Sequence, residues 1–314
     1  MSLSKQTTEP DEQGVRQNTA SKDAGCILID HLKKVRRALK GAAEDWVDDP
    51  ECVHRLRVSA RKALAAVSLI GEMAPIPHAK WFTGKLKTIL KSSGPARDLD
   101  VLLSLNLPLS EVARKTVEKI LSRQRKKSQK PIHELHKKLN QSHRFQKHIR
   151  ALSKELRQPG NWSDQRLDAD ACFQALSKVR DEFLEALQVE ADQRSLHQIR
   201  IALRKFRYAL EIAKVADKSP QNLTLKPELV RLQSELGLLQ DHVIIRTQMK
   251  RTIPLLDENK HRKMVLKFLA LEKNEIRQRV DAIRVWLNSE DSRRLRVSVR
   301  DFDIMSANTA TQKS

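Results

Sequence analysis

Between Cys26 and Leu39 the apolar positions Ile27, Leu28, Leu32, Val35 and Leu39 fall at i, i+3, i+4 spacing, which predicts an amphipathic helix ending near Trp46. Asp48, Asp49 and Pro50 then supply cap and first-turn chemistry for a second helix through Ile70. Gly71 and the Pro75–Pro77 pair close it, and a third helix is expected from about His78 to Lys91. Ser92-Ser93-Gly94-Pro95 reads as a break before a fourth helix beginning at Ala96. Later, Leu135, Leu139, Phe145, Ile149, Leu152 and Leu156 trace another apolar stripe, with Pro131 expected to break or kink the helix that carries it. Pro159-Gly160-Asn161 makes the clearest boundary in the middle of the chain.

Beyond that boundary the pattern repeats. At an offset of 143 residues, His54-Arg-Leu-Arg57-Val-Ser-Ala-Arg61-Lys62 lands on His197-Gln-Ile-Arg200-Ile-Ala-Leu-Arg204-Lys205. The same offset carries Leu86 to Leu229, Gly94 to Gly237 and Asp98 to Asp241, while Lys34-Val35-Arg36 is echoed by Lys178-Val179-Arg180 one residue further on. Each half therefore reads as a helical unit of about four helices, residues 23–158 and 165–290. Residues 1–22, without an apolar period, read as a disordered tail, and 291–314 as a basic and polar tail.

Composition agrees with a helical chain: 8 Gly and 11 Pro in 314 residues are too few to punctuate many short strands. Cys26, Cys52 and Cys172 form no C-x-x-C pair, so a reducing compartment and a cytoplasmic location are expected. No run approaches a membrane span, so no membrane insertion is expected. Trp46, Trp81, Trp162 and Trp286 sit where they would lock helix ends together.

Charge changes the picture most. Sixty Lys+Arg against 39 Asp+Glu leave a net +21, which argues for a polyanionic partner without choosing one. Over half lies in residues 114–157, where fifteen Lys+Arg face Glu118, Glu134 and Glu155. The remainder includes two patterned stripes. On a helix His197, Arg200, Arg204 and Arg207 fall within an arc of roughly 80°, beside a seam of Ile199, Leu203, Phe206, Leu210 and Ala213. His54, Arg57 and Arg61 repeat the stripe beside Leu56, Ala60, Ala63, Val67 and Ile70, with Leu64 in the place of Arg207. Cations aligned in this way repel one another, and an anion relieves the repulsion. Arginine offers a planar fork for phosphate oxygens, lysine a point charge, and histidine a donor or a further charge.

These residues carry a family resemblance. His54-x-x-Arg57-Val-x-x-Arg61-Lys62, Ala96-Arg97-Asp98-Leu99-Asp100-Val101-Leu102-Leu103, Leu196-His197-x-x-Arg200-Ile-x-x-Arg204-Lys205-Phe-Arg207-Tyr208-Ala-Leu-Glu211 and Leu236-Gly237-x-x-Gln240-Asp241 resemble the signatures of CHAD domains, the conserved-histidine α-helical domains. The resemblance covers about residues 24–290. It implies an all-α fold of two pseudo-symmetric four-helix bundles forming one unit, with a basic surface or pore between them. It also implies binding of inorganic polyphosphate, association with polyphosphate granules, and a site lined by His54, Arg57, Arg61, Lys62, His197, Arg200, Arg204, Lys205 and Arg207, with Lys34, Arg37 and Lys178 from the preceding helices. Leu64 departs from the pattern, standing where the first motif usually has a basic residue. The Glu-x-Glu-x-Lys strand of the triphosphate-hydrolysing tunnel domain that many relatives carry is not found in this sequence.

Two other classes compete with a non-catalytic polyphosphate binder. General RNA or DNA binding would use residues 114–157 and the basic C-terminus, and adhesion to nucleic acid at low salt is expected. Twelve aromatics leave few platforms for base stacking. A metal-dependent phosphohydrolase would need a hard-metal carboxylate set, and His133-Glu-Leu-His136 is not the H-E-x-x-H zinc motif. No catalytic residue, metal or cofactor is expected, and Asp98 and Asp241, read as starting their helices after Gly94 and Gly237, are assigned to capping or to orienting a motif arginine. Homo-oligomerisation is left open by the sequence.

Overall fold

The computed structural model describes residues 12–73, 76, 78–141, 143–155, 169–217 and 227–301. The protein is all-α: among the described residues there are ten α-helices, one 3₁₀ turn and no strand. The helices are α1 (Glu12–Glu44), α2 (Cys52–Met73), α3 (Ala79–Leu103), α4 (Glu111–Gln141), α5 (Arg144–Glu155), α6 (Ala169–Ala186), α7 (Gln193–Asp217), α8 (Pro227–Thr252), α9 (Asn259–Leu287) and α10 (Glu290–Arg300).

The seams read from periodicity are the buried faces. Leu56, Ala60, Ala63, Val67 and Ile70 on α2, and Ile199, Leu203, Phe206 and Leu210 on α7, are all buried. Burial of each large aliphatic side chain contributes about 1.5–3 kcal/mol, so these faces decide how the helices dock. In the first half α2 packs on α1 and α3, and α4 packs on α3 and α1; in the second, α7 lies between α6 and α8, α9 lies on α8, and α10 bridges α6, α8 and α9. The core does not divide along the sequence repeat. One apolar cluster runs from Leu28 through Phe82 and Phe206 to Val299, and a second joins Leu99 and Leu121 to Met249 and Phe268. Helices α2 and α7 meet across this shared core, and both touch α1.

Four boundaries differ from the sequence expectation. Ser92-Ser93-Gly94-Pro95 does not break the chain; α3 runs through it. Side chains brace this stretch: Ser93, fully buried, donates to the Ile89 carbonyl at 2.7 Å, and Arg57 from α2 donates to the Leu90 carbonyl at 2.6 Å. Pro131 likewise lies inside an unbroken α4; the chain turns instead at His143, which adopts a left-handed φ of 47°. The segment read as a C-terminal tail from residue 291 is helical to Arg300, because Ser292, Leu295 and Val299 bury one face and Ser289 caps the start by accepting from the Ser292 N–H. The first helix is described from Glu12, extending through residues read as a tail, since propagating an anchored helix costs far less than nucleating one. Residues 1–11 and 302–314, the Pro159-Gly160-Asn161 boundary and Trp162 lie outside the described residues.

Other local readings hold. Asp49 accepts the Glu51 N–H at 3.1 Å and pairs with Arg55 at the entry to α2. Trp81 packs on Phe82, Phe145 and His148, tying α3 to α5, and Trp46 lies under the Arg125 guanidinium at 4.8 Å. Arg125 itself, in the middle of the most basic segment, is buried and pairs with Asp100, so that cation braces α4 against α3.

Candidate functional site

Where α2 and α7 meet, the two patterned stripes face each other. Arg57 and Arg61 from α2, and Arg200 and Arg204 from α7, are all half-buried and lie within electrostatic reach of one another. Among the described residues none of the four has a carboxylate within 4.0 Å. Burial disfavours the charged form of each, and neighbouring guanidinium groups add to the effect. Burial and then Arg61 lead in pushing Arg57 down to about 10; burial, Arg61 and Arg200 push Arg204 to about 9. Arg61 and Arg200 are lowered too, chiefly by burial. Cations so placed are destabilised in the free protein and stabilised by any anion that reaches them.

Two carboxylates border the cluster. Asp98 on α3 and Asp241 on α8 occupy equivalent positions, but neither starts a helix: α3 and α8 are continuous through Gly94 and Gly237, so the capping assignment is corrected. Burial raises both, opposed at Asp98 by Arg57 and a hydrogen bond with Gln248, and at Asp241 by Arg200 and Arg97. They offset part of the charge without forming a close ion pair with the four arginines.

The remaining expected residues separate into a rim and outliers. His54 lies beside Arg97, Arg61 and Arg57, and burial holds it below its ordinary 6.5. His197 is exposed, its Nδ1 2.7 Å from Gln240 Oε1. Lys62 reaches across to Glu211 on α7 at 2.7 Å, which Arg207 also approaches at 3.6 Å, and both cations lie over the Tyr208 ring. Lys205 pairs with Glu182 at 2.5 Å, Lys178 with Glu72 at 3.0 Å and Lys34 with Asp30 at 2.6 Å. Arg37 stands elsewhere, in a groove between α1 and the α4–α5 turn. Leu64 packs against the core, as its apolar side chain requires.

Arg97 is the member that the motif arginines alone did not reveal. It pairs with Glu51 at 2.9 Å and its charge is felt at His54, Arg57, Arg61 and Asp241. The offset of 143 residues aligns it with Gln240, the partner of His197, so the repeat contained that signal. Among the described residues no group of three or more His, Cys, Asp or Glu is placed to hold a metal ion, and no helix is long and apolar enough to cross a membrane.

An all-helical unit with an internal repeat and a paired cationic stripe defines the class of protein. The model of the CHAD domain matches residues 27–250, and the chain belongs to that family. The crystal structure of the CHAD domain from the plant Ricinus communis has the same fold: 24% identity, TM-score 0.62, over 86% of this chain and 92% of that one. No curated protein matches the chain.

Proposed function

We propose that the protein binds inorganic polyphosphate without turning it over, and that the polymer seats between α2 and α7. The observation that carries this reading is the convergence of Arg57, Arg61, Arg200 and Arg204, half-buried and, among the described residues, without a close carboxylate. The family to which the chain belongs is associated with polyphosphate binding, which supports the same choice.

Two arginines one turn apart on each of two touching helices present forks over a length that suits successive phosphates of a linear polymer better than one small anion. Their desolvation is built into the fold, so each charge-assisted hydrogen bond forms in a medium of low dielectric. Counterions leave the polymer on binding, as they leave nucleic acids, which makes the affinity fall with salt. Lys62, Lys205 and Arg207 form the rim: their partly exposed ion pairs contribute little to stability and exchange readily for phosphate. His54 and His197 complete the stripe as donors. Association with polyphosphate granules follows from the same chemistry.

Competition at physiological salt tests the choice of polymer. Long-chain polyphosphate is expected to resist displacement by RNA at equal phosphate concentration, with its chain length unchanged after incubation with Mg²⁺. Displacement by RNA would make the protein a general polyanion binder, and chain shortening would make it a phosphohydrolase.

A further inference from the structure

Helix α1 carries a second cationic face. At about 100° per residue, Lys33, Arg36, Arg37 and Lys40 fall within an arc of about 100° on the side of α1 opposite His31. His31 feels the charges of Lys62 and Glu211, so it marks the side that meets α2 and α7. The far side is closed by α4 and α5 into a groove. One lobe, about 380 Å³, is lined by Arg36, Arg37, Lys40, His136, His143 and Gln146 over the buried side chains of Val35, Leu39 and Phe145. A second lobe of about 380 Å³ shares Arg36, Arg37 and Gln146 and adds Lys33 and Arg150.

The pairing of these cations differs from that on the outer face of α4. There Lys115 pairs with Glu111, Arg114 with Glu118 and Lys130 with Glu134, as solvated basic helices commonly do. In the groove Glu44 is the single carboxylate among the described lining residues, 3.7 Å from Lys40 and 4.0 Å from His136. Arg36 Nη1 donates to a neutral group, Gln146 Oε1, at 2.9 Å. Among the described residues Lys33, Arg37 and Arg150 have no carboxylate within 4.0 Å. From Lys33 to Lys40 the stripe extends about 10 Å along the helix, a linear array of donors at the mouth of a concave site.

We propose that this groove is a second, separate site for a linear oligophosphate, the chemistry shared by short polyphosphates and by the triphosphate of a nucleotide. It does not rest on the polyphosphate reading of the motif arginines. Its cations are more exposed than those between α2 and α7, so its binding is weaker and more sensitive to salt.

The test uses the full chain with tripolyphosphate, ATP and orthophosphate as probes, read by calorimetry and by hydrogen exchange of residues 144–150 in α5. The variants are Arg37→Glu with Lys40→Glu, both exposed and outside the core, and separately Arg200→Gln with Arg204→Gln. Tripolyphosphate is expected to slow exchange in α5 in the wild type and in the Arg200/Arg204 variant, and the Arg37/Lys40 variant to weaken that binding roughly tenfold or more. ATP binding as tightly as tripolyphosphate assigns the groove to nucleotides, and weaker ATP binding assigns it to free polymer; in either case orthophosphate binds least. No protection of α5, or tripolyphosphate binding unaffected by the Arg37/Lys40 change, overturns the proposal. Loss of all tripolyphosphate binding in the Arg200/Arg204 variant overturns the groove while leaving the motif site standing. Long-chain polyphosphate binding indifferent to Arg200 and Arg204 but lost with Arg37 and Lys40 does the reverse.

Discussion

Arg57 on α2 donates from Nη1 to the backbone carbonyl of Leu90 on α3 at 2.6 Å. Its guanidinium also reaches Ser93 Oγ at 3.3 Å, beside the turn where Pro95 has no N–H to give the helix. One residue thus belongs to the cationic stripe and braces the helix that carries Asp98. Arg57→Ala removes a charged donor to the Leu90 carbonyl and opens space in the interface, so the expected loss is about 1–2 kcal/mol of stability in denaturant titration. An unchanged midpoint would show that α3 does not depend on this contact.

Arg204 behaves oppositely. Burial, with Arg61 and Arg200 nearby, pushes it down to about 9, so the folded chain holds this proton less readily than the unfolded one. At pH 7 both states are charged and the penalty is fully present; it fades as pH climbs above about 9 towards the ordinary arginine range. Arg204→Gln is therefore expected to stabilise the free protein by about 1 kcal/mol while shrinking the rise in melting temperature that polyphosphate produces. A free protein that melts lower after this substitution contradicts the desolvation argument.

Binding should depend on pH at both ends of the range. In the free protein burial and the arginines around it hold His54 below 6.5, so the unfolded chain takes up this proton first and stability falls as pH drops through that region. A polyanion favours the protonated ring, so affinity rises as pH falls below about 6.5 and binding takes up protons there. Calorimetry in buffers of different ionisation enthalpy measures the uptake, and His54→Gln should remove much of it. On the alkaline side affinity declines as pH passes about 9 and then about 10, where Arg204 and Arg57 begin to lose charge. Equal proton uptake in wild type and His54→Gln would remove His54 from the site.

The seams of α2 and α7 were legible because a period of 3.6 residues is local: Leu56 and Leu203 are buried where the pattern puts them. The continuity of α3 was not, because the contact that supports it at Leu90 comes from Arg57, 33 residues away. The repeat made His54, Arg57 and Arg61 equivalent to His197, Arg200 and Arg204, but their meeting across one interface is a tertiary fact. For the same reason Lys178 and Lys205 read as site residues in sequence, while their carboxylate partners Glu72 and Glu182 lie on other helices. Arg37 shares a helix with Lys34, yet Arg37 lines the groove against α5 while Lys34 pairs with Asp30, a distinction set by the docking of the helices.

The central claim is that the facing arginines bind a phosphate polymer, and calorimetric titration of long-chain polyphosphate over a series of salt concentrations tests it most directly. Wild type is expected to show a steep fall of log K with log salt. The Arg200→Gln, Arg204→Gln variant, with its helical spectrum intact, should bind more weakly and with a slope shallower by about 1–2. Equal affinity and an equal slope in the two proteins would contradict it.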